Sequence, residues 1–334
     1  MVPWAGTPSA IPAGTMRNRP FPPRFTLALA ALIGVALVGC AGGGGGPAGP
    51  QTTSSQEAAS IEFQGQVSDQ QTGAPLGGIR VSTDGASVWS DGGGRFRIAA
   101  ERGAAVTLSG AGYYDRVTTL DGATGDFSLV PHSFDMAAFN DVARDNSPGT
   151  LRWISSPAVY VDVRAHSFAG GGSVPAEWVE QSASLAPRFI AGWTGGALSA
   201  RSVTVGSTPP APGTPGTLVI SFDENPSRYP SAASAGSAIA AWNGEGVIGS
   251  ATVRLRFSGL TGGAAAFSRQ AVLGHEIGHA MGLAHMDGAT ASMMAPVVRT
   301  PELTAFDQAI GALLYDRRPG TRADDREASA GTAR

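Results

Sequence analysis

The run His275-Glu276-Ile277-Gly278-His279-Ala280-Met281-Gly282-Leu283-Ala284-His285 gathers three of the chain's five histidines into one short stretch. On an α-helix, residues four apart lie about 40° apart around the axis, so His275 and His279 aim side by side at one point. Glu276 projects from the next position, close to that point yet able to hold a water instead of ligating. Gly282 can take a positive φ, which ends a helix and turns the chain so that His285 returns as a third ligand. Three neutral imidazoles leave a fourth position open, the arrangement of a catalytic zinc rather than a structural one. Zinc lowers the pKa of a bound water, and Glu276 can accept that proton and pass it to a leaving amine. One Zn2+ is therefore expected, with His275, His279 and His285 as ligands and Glu276 as general base. The competing reading is a helix with solvated histidines.

The motif needs a helix beneath it, and the pattern predicts one from an N-cap at Ser268 to Met281. A second amphipathic helix is predicted over Pro175 to Ile190, kinked or ended early by Pro187. A last helix is predicted to open at Thr300-Pro301. Strands are predicted at Ala158 to Val163, Ser202 to Val205, Thr217 to Phe222 and Ala251 to Phe257. This order reads as an α+β domain over residues 132–319. Ahead of it, residues 60–131 alternate apolar and polar residues in short runs broken by turns, as in Ile61, Phe63, Gly65 and Val67. That spacing reads as a small all-β sandwich. The polar tail 320–334 reads as disordered.

With 334 residues, the length prior is about two domains. No lysine occurs, so all 23 basic residues are arginine; this excludes Schiff-base chemistry and lysine-dependent phosphate binding. A net charge of −3 without a basic cluster argues against nucleic acid as partner. The single cysteine excludes intrachain disulfides and Cys-rich metal sites.

Phe25 to Val38 is an apolar run flanked by Arg17, Arg19 and Arg24, too short for a comfortable membrane span but suited to a signal peptide; Met16 is an alternative start. The run ends in Leu37-Val38-Gly39-Cys40, which resembles the lipobox of bacterial lipoproteins. That resemblance implies acylation of Cys40 and cleavage before it, so that residues 1–40 are signal peptide and lipobox; an ordinary secretory signal is the alternative. Residues 41–59 then read as a flexible tether, with Ala41 to Pro50 nearly pure Gly, Ala and Pro. Ala41, rather than an aspartate, resembles the signal for onward transport to an outer membrane. The expected location is the bacterial cell envelope, with the membrane engaged through the N-terminal lipid.

The histidine motif resembles that of the metzincin clan of zinc peptidases. Downstream, Ser292-Met293-Met294-Ala295-Pro296 is similar to the clan's Met-turn, and the spacing to Pro296 matches the matrixin form with Met294 as the turn methionine; Met293 stays open as the alternative. Asp307 to Tyr315 is similar to the last matrixin helix, and Asp287 lies two residues past His285, where a plain turn residue is the simpler reading. The segment from Gly65 to Arg116 resembles a transthyretin-like or carboxypeptidase-regulatory-like domain. The resemblance implies an α+β metzincin-like catalytic domain, a twisted mixed sheet with three main helices, preceded by the small all-β sandwich. It also implies that Thr252 to Phe257 forms the sheet edge above the cleft. Matrixins hold a second, structural zinc through three histidines and an aspartate, but only His132 and His166 remain outside the motif, so that site is not supported. Ca2+ sites are possible but not assignable, since Asp223 and Glu224 read as solvated loop residues. The implied function is an exported, lipid-anchored zinc endopeptidase acting on protein or peptide substrates. The rival is a non-catalytic envelope binding or adhesion lipoprotein that keeps a metal site, against which the intact Glu276 argues.

Overall fold

The computed structural model describes residues 11–12, 60–144, 147–168, 172–231, 234–258, 260, 265–286, 291–298 and 300–327. Cys40, the apolar run, the tether and Asp287 lie outside the described residues. The two-residue strand Ile11–Pro12 (β1) pairs antiparallel with Val297–Val298 (β14).

Seven strands follow in the first half: Ile61–Asp69 (β2), Arg80–Ser82 (β3), Ser87–Trp89 (β4), Arg95–Ala100 (β5), Ala105–Ser109 (β6), Arg116–Thr119 (β7) and Thr124–Leu129 (β8). They form one sheet of order β5-β2-β8 and another of order β4-β3-β6-β7. Alternation sets the faces: Phe96, Ile98 and Ala100 point inward on β5, while Arg95, Arg97 and Ala99 are exposed. The shared core joins Phe63, Phe96 and Phe127 with Val67, Val81, Val106, Leu108 and Leu129. Fully burying such an aliphatic side chain contributes about 1.5–3 kcal/mol. Gly65 sits where a Cβ would lie 2.7 Å from the Phe96 ring, so the strand carries no side chain there.

The second half contains Met136–Arg144 (α1), Ala158–His166 (β9), Ala176–Trp193 (α2), Ser202–Gly206 (β10), Thr217–Asp223 (β11), Gly236–Trp242 (β12), Ile248–Leu255 (β13), Ala265–Ala280 (α3) and Ala305–Asp316 (α4). The five strands have the order β10-β9-β11-β13-β12. Three neighbouring pairs are parallel, and β12 runs antiparallel to β13 at the edge. Parallel strands covered by helices become nearly continuous apolar runs, and Leu218, Ile220 and Phe222 of β11 are all fully buried.

The fold class expected from the sequence, an α+β metzincin-like domain with one twisted mixed sheet and three main helices behind a small sandwich, is corrected. Among the described residues the chain is sheet-rich, with several sheets and a few helices: four sheets and four α-helices. The strand β12 was missed because Gly236-Ser-Ala-Ile-Ala-Ala-Trp242 is built of small residues with little alternation. In consequence β13 is not the sheet edge; β12 is. Helix α1 was also missed, and α2 runs straight through Pro187 to Trp193. Its buried stripe of Trp178, Val179, Ala186, Phe189, Ile190 and Trp193 outweighs the local cost of one proline. Helix α4 starts at Ala305 rather than at Pro301, because Thr304 and Asp307 make the reciprocal capping box.

The tail is corrected as well. Residues 321–327 return to the first half, where Val117 N–H donates to Asp325 O and Glu327 N–H to Val117 O. Beneath them lies a buried ionic cluster. Arg116 donates to Glu327 Oε1 at 2.6 and 3.0 Å, and Arg317 binds both oxygens of Asp325 at 2.7 and 2.8 Å. Arg317 also reaches Ser128 of β8, and Asp316 pairs with both arginines.

Candidate metal centre

Helix α3 carries His275, Glu276 and His279 as wholly buried residues. Glycines at 274 and 278, four apart on one face, let α2 and the 292–294 turn approach closely. A Cβ on Gly274 would lie 2.6 Å from both the Met293 sulfur and the Phe189 ring; one on Gly278 would strike the Met294 sulfur and lie 3.0 Å from Trp193. Trp193 donates its indole N–H to Gly274 O at 2.8 Å, locking the two helices.

The helix then ends in a Schellman motif. Gly282 has φ +106°, Leu283 N–H donates to Gly278 O at 3.1 Å, and Gly282 N–H donates to His279 O at 3.0 Å. Trp153 Nε1–H and the Tyr315 hydroxyl donate to the buried end carbonyls of Ala280 and Met281 at 2.8 and 3.0 Å. The turned chain is held on both sides of His285. Ala284 N–H donates to Val142 O of α1 at 2.6 Å, and Met286 N–H donates to Met294 O at 2.9 Å.

The three histidines converge. His285 Nε2 lies 3.2 Å from His275 Nε2 and 3.2 Å from His279 Nε2. His275 Nδ1–H donates to Met293 O at 2.6 Å and His279 Nδ1–H to Leu283 O at 2.7 Å. Those carbonyls accept the only ring proton of a neutral imidazole, so both Nε2 lone pairs face inward. A proton on His285 Nε2 can bridge to one of them, not both. Two nitrogens each 2.0–2.1 Å from a tetrahedral zinc are about 3.3–3.4 Å apart, so the observed spacing fits such an ion. Burial, reinforced by the neighbouring His279, pushes His275 well below its ordinary value and keeps it neutral, the form that ligates. These three residues could hold a metal ion.

Of the supporting residues, Gly236 and Tyr229 carried no sequence signal of their own, whereas Asp307, Met293 and Met294 lie in the segments singled out above. Gly236 opens β12 against Glu276, and a Cβ there would lie 2.5 Å from Oε1. Asp307 is buried and accepts from Ser292 Oγ at 2.5 Å, Met293 N at 3.0 Å and Thr304 N at 2.9 Å, so the cap of α4 also fixes the turn whose carbonyl orients His275. Tyr229 is raised by burial and by the charges of Asp223, Glu224 and Glu276; its hydroxyl stays protonated and donates to Asp223 O at 2.5 Å. Met293 and Met294 are both buried beside α3.

The remaining sequence candidates fall elsewhere. His132 packs edge-on to Tyr114, and His166 Nε2 lies 3.2 Å from Asp162. Asp223 and Glu224 are not solvated loop residues, as had been expected. Asp223 is buried and accepts from Asn225 N, while Glu224 accepts from the Ser258 backbone and hydroxyl. No described helix is long and apolar enough to cross a membrane.

No protein-family model matches the chain, and no curated protein does. Two solved structures share a part of it. One is a type II cohesin–X-dockerin complex from Acetivibrio cellulolyticus, 25% identical over 21% of this chain and 51% of that one, with a TM-score of 0.16. The other is the shaft pilin SpaA from Lactobacillus rhamnosus GG, 15% identical over 22% of this chain and 46% of that one, with a TM-score of 0.17. The chain thus spans about half the length of these structures, and neither is a metzincin.

Proposed function

We propose that the chain is an exported, lipid-anchored zinc endopeptidase. The observation that carries this reading is the meeting of three Nε2 atoms, two of them oriented by backbone carbonyls, with the buried Glu276 next to His275 in the helix. The likeness of the motif to that of the metzincins supports zinc as the metal. When bound, zinc supplies Lewis acidity at the scissile carbonyl.

The chain's own residues do the rest. His275, His279 and His285 would hold the ion. Glu276 would act as the general base: its carboxylate would hold a water, take its proton and deliver it to the departing amine nitrogen. Acylation of Cys40 would hold this site at the envelope membrane, where a single acyl chain is marginal and several are needed for a stable anchor.

The test is peptide hydrolysis by the purified full chain in detergent. Activity should disappear with a chelator and return with one equivalent of zinc. Glu276→Gln should bind zinc as the native chain does and show no turnover. A zinc-loaded protein that cleaves no member of a random peptide library would sink the peptidase reading.

A further inference from the structure

The outer face of the β5-β2-β8 sheet is built unlike the rest of the surface. Register places Arg97, Gln64 and Thr124 in one row across the three strands, and Arg95, Gln66 and Asp126 in the next. These side chains line a groove of about 650 Å³, with Gly65, Gly125 and Asp91 also along it and Trp89 of β4 beside it. Trp89 is 65% exposed, more than any other large apolar residue described. An indole left in water on a small, well-packed unit is an informative departure from the usual rule.

The polar groups are held in place before any ligand arrives. Glu62 accepts from Gln64 Nε2 at 3.1 Å and from Arg97 at 3.4 Å. Gln66 Nε2–H donates to Gly93 O at 2.7 Å, and Asp126 Oδ1 accepts from Gln66 N. Asp91 Oδ1 accepts from Gly93 N and Arg95 N, which fixes the turn at the end of the groove. A site arranged in advance loses less rotamer entropy on binding.

We propose that this groove binds an uncharged polysaccharide. A flat indole offers a face to the C–H side of a sugar ring, and planar amides and guanidinium groups present paired donors or acceptors to adjacent hydroxyls. Charge decides against the other polymers. The lining holds two arginines, Arg95 and Arg97, against two aspartates, Asp91 and Asp126, so neither a polyanion nor a polycation gains a field. A neutral polyhydroxyl chain uses both signs at once. The groove lies on the β5-β2-β8 sheet, whereas the three histidines lie on α3 and the turn after it, so the proposal stands whether or not the peptidase reading does.

The test is calorimetric titration of the purified full chain with cellohexaose, chitohexaose, laminarihexaose and maltohexaose. Dextran sulfate and an unfolded casein peptide serve as controls. At least one neutral oligosaccharide should bind with Kd below about 1 mM. Trp89→Ala should weaken it by about tenfold, the scale of one lost aromatic face. Being exposed, that change should leave the melting temperature and zinc content unaltered. Arg97→Ala, tested separately, should also weaken binding. The proposal is overturned if none of the four sugars binds, if Trp89→Ala binds as well as the native chain, or if either control binds at this groove in their place.

Discussion

Glu276 is wholly buried, and the backbone of Gly236 faces it with no side chain between. Adding one methyl group at 236 would therefore act on the carboxylate and on little else. Gly236→Ala should bind zinc normally while kcat falls by about 10²-fold, the cost of misplacing a catalytic group by roughly an ångström. Zinc stoichiometry and steady-state kinetics on the same sample check both halves; normal kcat would show that the carboxylate has room to move. The three ligands should behave differently from the base. His279→Ala should lose zinc affinity and activity together, as read by competition with a chromogenic chelator. Much at this scale was legible in the sequence, because a metal site of this kind needs fixed residue types at fixed helical spacing. What surrounds it was not, because Gly236 lies 40 positions before Glu276 and its closeness depends on how β12 pairs with β13.

At the level of elements, α4 governs the turn beneath the histidines. Asp307 holds the cap at Thr304 and the backbone of the turn at Met293, so one carboxylate serves two elements. Thr304→Ala removes one cap acceptor and should cost about 1 kcal/mol. Asp307→Ala also releases Ser292 and the Met293 amide, both buried, and should cost about 2–4 kcal/mol. Only the aspartate variant should weaken zinc binding as well, because Met293 O is the acceptor that orients His275. Equal loss of zinc affinity in both variants would argue against this chain of contacts. Periodicity located α2, α3, β9, β10 and β11 within a few residues; of the strands, β9 and β11 keep buried residues, whereas β10 is exposed along nearly all its length. It missed α1 and β12, whose structure is dictated by neighbours: α1 by the Leu283–His285 segment it clasps, β12 by the strand it closes. The capping box of α4 was readable in Thr304 and Asp307 and was passed over for the preceding Thr-Pro.

For the whole molecule, the ionic cluster under residues 321–327 joins the two halves. Arg116 and Arg317 are buried, and removal of Glu327 or Asp325 would leave one of them with only the partly exposed Asp316 as its carboxylate. Such a loss costs about 3–5 kcal/mol in a buried pair. Ending the chain at Gly320 should therefore lower the melting temperature sharply, and a fragment of residues 132–334 should be less stable and no more active than the full chain. A large gain in peptide hydrolysis by that fragment would instead identify the first half as an inhibitory segment. Asp316 adds a pH dependence: burial alone would raise its carboxyl, but Arg116 and Arg317 prevail and hold it below its ordinary 3.8. With its folded value depressed, its contribution is complete above about pH 4 and is lost as pH falls through that lowered value. Asp316→Asn should flatten the acid limb of the stability curve; an unchanged limb would place the acid sensitivity elsewhere.

The same clasp sets a timetable. Arg116 and its partner Glu327 are 211 residues apart, so the carboxylate leaves the ribosome long after the guanidinium. A nascent chain can fold the first two sheets early, yet their Arg116 has no carboxylate partner until residues 316–327 have been made. Closure of the two halves is thus deferred until that segment has been made, and a chain stalled or clipped before Asp325 stays open however well its metal site is formed.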